Sequence, residues 1–133
     1  MRKKSTAVLA ALGSALLILG LLIASIEMFA VSPDFYQREY KKLGTAQSIG
    51  ISEDDLARVT DKLIRYTTGA EDNLNMQAEI QGQMQEVFGE REKAHMVDVK
   101  ALYLGARTVR TVSLVSAVVL IAAAFIAGKK ETL

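Results

Sequence analysis

Two long apolar runs decide what this chain can become. The first, Thr6 to Ile26, and the second, Thr111 to Gly128, contain no charged residue. A helix rises about 1.5 Å per residue, so about 20 apolar residues cross a hydrocarbon core of about 30 Å. The second run is near the lower limit for a span, but it is cleanly bounded by Arg107 and Arg110 before it and Lys129-Lys130 after it. Gly13, Ser14 and Gly20 suit close packing against a neighbouring helix. Glu27 lies at the end of the first run, where a charge reaches the headgroups; at mid-membrane it would cost about 2.5–3.5 kcal/mol on insertion scales. A cleaved signal peptide also starts with basic residues, here Arg2-Lys3-Lys4. The run is longer than a usual signal core, and cleavage after Ala30-Val31-Ser32 would leave Pro33 first, so a retained span is expected.

The basic residues at both chain ends predict that both termini are cytoplasmic. The expected layout is a cytoplasmic N-terminus (1–5), a first span (6–28), an extracytoplasmic domain (29–110), a second span (111–128) and a cytoplasmic C-terminus (129–133). The fold class is therefore a mainly α membrane protein, with two transmembrane helices flanking an extracytoplasmic helical domain that holds a small β-hairpin. The setting these features imply is a membrane crossed twice. A net charge of +1, with no basic patch interleaved with aromatics, sets nucleic acid aside as a partner. With no cysteine, disulfides and Cys-based zinc sites are excluded. No motif calls for a cofactor.

The middle segment is well punctuated. Pro33 ends any helix leaving the first span. Phe35, Tyr36 and Tyr40 suit a membrane–water boundary; Tyr40 is also a candidate to place its hydroxyl in a site. Ser52 reads as an N-cap with Asp55 in a capping-box position, Leu56, Val59, Leu63 and Ile64 form one apolar stripe, and Gly69 is a stop. That amphipathic helix must cover the rest of the segment, the membrane or another chain. From Leu74 to Met84 apolar residues alternate with polar ones, the period of a half-buried strand, and Gly82 suggests a turn within it; a helix is the competing reading. After Gly89 helical periodicity returns, carrying Met96, Val99, Ala101 and Leu102 towards the second run.

That last helix holds the only histidine, His95. Glu92 and Asp98 lie three residues to either side, so all three share a face. A solvated face with local ion pairs is one reading. A metal site is a second, but carboxylate-bridged metal bundles need two Glu-x-x-His motifs and this chain has one, so no metal is expected. Proton transfer is the third: imidazole is the side chain suited to it near neutral pH, and the carboxylates would orient it. His95, Glu92 and Asp98 are thus the catalytic candidates, and Tyr40, Arg91 and Lys100 the candidates to bind substrate or developing negative charge. An unbroken helix from His95 to Thr111 would be about 24 Å long, so an interfacial site needs that helix to bend or to lie along the surface, and Gly105 is the expected break.

Phe35-Tyr36 and Glu39-Tyr40-Lys41 after the first run, the capped helix ending in Tyr66 and Gly69, and above all Phe88-Gly89-Glu90-Arg91-Glu92 followed by His95-Met96-Val97-Asp98-Val99-Lys100 form a familiar order. It resembles the bacterial lipoprotein intramolecular transacylases. The resemblance implies an enzyme that moves an acyl chain from the glycerol of a lipidated N-terminal cysteine to that cysteine's α-amino group, with His95 catalytic. It also implies about four spans and a second histidine later in the chain. This sequence has two apolar runs and one histidine, so the expectation is an N-terminal half or truncated member, or a relative that has lost activity, weakly active or inactive by itself. The expected partners are a membrane lipid or lipidated protein N-terminus, and a second membrane subunit or a further copy of the chain. The competing class is a non-enzymatic two-span module that binds a partner membrane protein.

Overall fold

A computed structural model describes residues 2–132. Its elements run α1 (Arg2–Ala30), α2 (Pro33–Leu43), α3 (Thr45–Ile49), α4 (Glu53–Thr67), β1 (Gln77–Ile80), β2 (Gln83–Glu86) and α5 (Glu90–Thr132). They fall into two compact units: Met28–Leu104, and the helices on either side of it, up to Glu27 and from Gly105.

The helical unit pairs α1 with the C-terminal part of α5. Both helices are long and apolar enough to cross a membrane. On α1 the buried positions are Gly13, Gly20 and Glu27, one heptad apart, the repeat of a left-handed helix pair. On α5 they are Ser113, Ala117 and Ala124. Small residues let the backbones approach: a Cβ on Gly13 would lie 2.8 Å from Ile121 Cγ1, and one on Gly20 2.5 Å from Leu114 Cδ2. The pair is tied at both ends. Thr6 Oγ1 donates to Glu131 Oε1 at 3.2 Å, and Arg110 donates to Glu27. Ile18, Leu22, Val118 and Phe125 are exposed on the outside, an apolar surface that lipid would cover.

The break expected at Gly105 is absent; α5 continues through it as one helix. Gly in a helix interior costs only about 1 kcal/mol relative to Ala, and the flanking Leu104 and Ala106 are strong helix formers. No proline or competing cap follows to end the helix.

In the second unit α2 starts with Pro33 at its first turn, and Ser32 Oγ accepts from Phe35 N at 3.4 Å. Phe29, Phe35, Tyr36 and Tyr40 form a chain of ring contacts with centroids 5.7, 5.7 and 6.2 Å apart. On α4, Ser52 Oγ accepts from Asp55 N at 3.1 Å, as expected of an N-cap. Asp55 turns its carboxylate to Arg58 at 2.9 Å. The apolar stripe of α4 covers its own neighbourhood: Val59 and Tyr66 join Ile51, Leu74, Ala78 and Phe88 in one core, with Leu56, Leu63, Ile80 and Met96 packed against it.

The alternation from Leu74 resolves into an antiparallel hairpin with Ile80 opposite Gln83. Its two-residue turn has φ 54° at Gln81 and 81° at Gly82. Positive φ at both positions is the type I′ pattern that matches strand twist. β1 buries Ala78 between exposed Gln77 and Glu79, whereas β2 is exposed throughout. Such a hairpin is marginal alone; Gln81 N donates to Gly50 O at 2.8 Å and fastens its tip beside α3.

Two outcomes follow. Gly20→Val should destabilise the α1–α5 pair by about 1–3 kcal/mol through overpacking, while Gly105→Ala, where a Cβ meets nothing within 4 Å, should be neutral or stabilising; thermal unfolding in detergent followed by circular dichroism compares them. Phe88→Ala should cost about 3–5 kcal/mol, read as a lowered denaturant midpoint at an unchanged slope.

Candidate functional site

The start of α5 splits its residues between two faces. Lys93, Met96 and Lys100 turn inward. Lys93 Nζ reaches Asn75 Oδ1 at 2.9 Å and Glu86 at 3.8 Å. Met96 packs on the core. Lys100 Nζ sits 4.5 Å from the centre of the Tyr66 ring and donates to Glu71 O at 3.4 Å. Arg91, Glu92, His95 and Asp98 turn outward and are exposed.

Glu92 is committed locally. Its Oε2 accepts from Gly89 N at 3.0 Å, the return half of a capping box, which fixes the first turn of α5. Among the described residues the side chains of His95, Asp98 and Arg91 have no hydrogen bond or ion pair. The imidazole is thus open to an incoming group, with one carboxylate a turn behind it holding the helix and another a turn ahead of it unpaired.

The other candidates lie elsewhere. Lys100 is held against α4, one turn on from Met96. Tyr40 lines a cleft of about 780 Å³ with Gln37, Lys41, Ile51, Glu53 and Leu56, to which His95 does not contribute. Beside it Tyr36 donates to Ala30 O at 2.7 Å; burial, and secondarily Tyr40, push its hydroxyl above the ordinary value of 10.0. The structure therefore brings Arg91, Glu92, His95 and Asp98 together on one face, and sets Lys100 and Tyr40 apart from it.

Two polar centres went unread in the sequence. Glu71 accepts from Lys62 at 2.6 Å and pairs with Arg65 at 3.3 Å. The Lys62 hydrogen bond, reinforced by the charges of Lys62 and Arg65, holds its carboxyl below the ordinary 4.5. The loop after α4 brings these charges together, which no helical spacing foretells. The second is the Glu27–Arg110 pair; its signal was available, as opposite charges at the ends of two apolar runs. Among the described residues no group of three His, Cys, Asp or Glu is placed to hold a metal ion.

Two helices long and apolar enough to cross a membrane, and a small helical unit that presents an open histidine face, make a mainly α chain with two candidate membrane spans. The chain belongs to the lipoprotein intramolecular transacylase family, Lit, whose sequence pattern matches residues 11–133. No curated protein and no solved structure matches it.

Because Glu71 is more acidic when folded, its contribution to stability is present above its ordinary value and is lost as pH falls from there through the lowered one. Acid titration of unfolding should show this loss, and Glu71→Gln should flatten it. Glu92→Ala should remove the cap return, lowering stability by about 0.5–1 kcal/mol, measurable in the same unfolding assay.

Proposed function

We propose that this chain moves an acyl chain from the glyceryl group of a lipidated N-terminal cysteine to that cysteine's own α-amino group. The observation that carries this reading is the family match across residues 11–133. The chemistry needs a proton acceptor. An α-ammonium of pKa about 8 must lose a proton before its nitrogen attacks the ester carbonyl. That first proton leaves to water; as the N–C bond forms and the C–O bond to glycerol breaks, the nitrogen sheds a second proton, which passes to the leaving alkoxide. In our reading His95 takes that second proton and hands it on. Its exposure and lack of a protein partner support the role. Glu92 fixes the helix turn that precedes it, Asp98 steadies the imidazole when charged, and Arg91 faces the developing oxyanion. Lys100 and Tyr40 bind more distant polar parts of the substrate. Nucleophile and ester belong to one molecule, so holding it in a reactive pose supplies much of the rate.

The basic ends place both termini in the cytoplasm in this reading, with 29–110 outside the cytoplasmic membrane between spans 6–28 and 111–128. The substrate partner is a lipidated N-terminus. A second membrane subunit or another copy of the chain is a further partner in this reading. The commitment of Glu92 to a helix cap favours a second reading, a two-span module that binds a partner membrane protein without chemistry.

The readings separate in a strain devoid of lyso-lipoprotein. Wild type, expressed alone or with a complementary second half, should yield N-acylated lyso-lipoproteins by mass spectrometry of their N-termini. His95→Ala should lower the yield by about 100-fold or more. No acyl migration by wild type in either setting overturns the enzyme reading and leaves the binding module.

A further inference from the structure

The helical unit contains a charged pair that packing does not fully use. Glu27 is 7% exposed and lies at the end of the first apolar run; Arg110 directly precedes the second. Arg110 donates through Nη1 to Glu27 Oε2 and through Nη2 to Thr111 Oγ1 at 3.5 Å. The other carboxylate oxygen, Glu27 Oε1, is buried with no hydrogen-bond partner. Ionisable residues at the membrane are costly and face interior paths or ligands, and an unmet buried acceptor costs about 1–3 kcal/mol. A pair serving only as an interhelical pin would gain by satisfying both oxygens.

We infer that Glu27 Oε1 is the receptor for a primary ammonium carried by a glycerolipid, with Arg110 holding the carboxylate in place. Three observations converge on this chemistry. The unpaired oxygen is an acceptor, so a ligand that meets it is a donor. It belongs to a carboxylate, so a cationic donor is preferred. It lies where both apolar runs end, the depth at which the glyceryl portion of a lipid meets its polar end. Entry of the ammonium requires the side chains over Oε1 to part locally, since the oxygen is sealed in the unliganded chain. This rests on the acyl-transfer reading for the substrate's identity: the ammonium of a lipidated cysteine docks here before transfer, and it must leave Glu27 and lose its charge before its nitrogen reacts at His95. A primary-amine lipid headgroup offers the same chemistry. Glu27 is a binding residue and Arg110 a positioning residue in this account.

The test is binding, not turnover. The full chain in phosphatidylcholine nanodiscs is titrated with a fluorescent diacylglyceryl-cysteine peptide bearing a free α-amine and with its N-acetylated twin. Wild type should bind the free amine roughly tenfold more tightly, the worth of one charged hydrogen bond. Glu27→Gln should abolish the preference. Because Glu27→Gln leaves Arg110 unpaired, Glu27→Gln/Arg110→Gln provides a neutral hydrogen-bonded pair; circular dichroism checks its folding, and it too should show no preference. Competition by phosphatidylethanolamine, with phosphatidylcholine as the reference lacking N–H donors, tells headgroup from N-terminus as the source. Equal wild-type affinity for both peptides, or a preference that survives in the folded double variant, overturns the inference. A chain that prefers the amine yet never transfers acyl groups sinks the proposed reaction and spares this site.

Discussion

The close approach of α1 to the C-terminal part of α5 is the constraint on which the rest depends. In a bilayer there is no hydrophobic gain from pairing two apolar helices, so contact must come from packing and polar links. Gly13 and Gly20 supply the packing, since neither position has room for a Cβ without displacing Ile121 or Leu114. Glu27 continues the same heptad row and meets Arg110, which fixes the register. A slip of either helix would strand a charge among apolar groups at a cost of about 2.5–3.5 kcal/mol on insertion scales. The pair also brings together the two ends of the intervening chain, reducing what that segment loses in loop-closure entropy.

Within that segment the same logic of faces decides where chemistry can sit. The start of α5 spends one face on structure: Lys93 on Asn75, Met96 on the core, Lys100 on Tyr66. A helix anchored so firmly on one side leaves the opposite side unencumbered. His95 and Asp98 lie there, and Glu92 stiffens the turn before them through its bond to Gly89 N. The histidine face is positioned by residues that never touch it.

Much of this was legible in the residues. The apolar runs gave α1 and the end of α5, Ser52 and Gly69 bounded α4, and the alternation from Leu74 with Gly82 gave the hairpin. These features are local: each follows from periodicity or from one residue's conformational preference. Gly105 misled, because a single glycine amid strong helix formers costs too little to break a helix supported at both ends. The Glu71 hub and the Lys100–Tyr66 contact join residues far apart in sequence, so spacing could not announce them. The shared face of Glu92, His95 and Asp98 was readable from helical spacing; that Glu92 would turn to its own backbone was not, though Gly89 three residues before it matches the capping-box offset.

Family and physical argument meet at one claim: an amine in the substrate attacks an ester in the same substrate, beside an open imidazole. Purified chain reconstituted in liposomes, with its complementary half where that is required, can be given an equal mixture of diacylglyceryl-cysteine peptides. One peptide carries heavy isotopes in both acyl chains and backbone, the other none. The account predicts N-acylated lyso products in which heavy acyl chains remain on heavy peptides and light on light. Products with scrambled labels, or no N-acyl product at all, would contradict it.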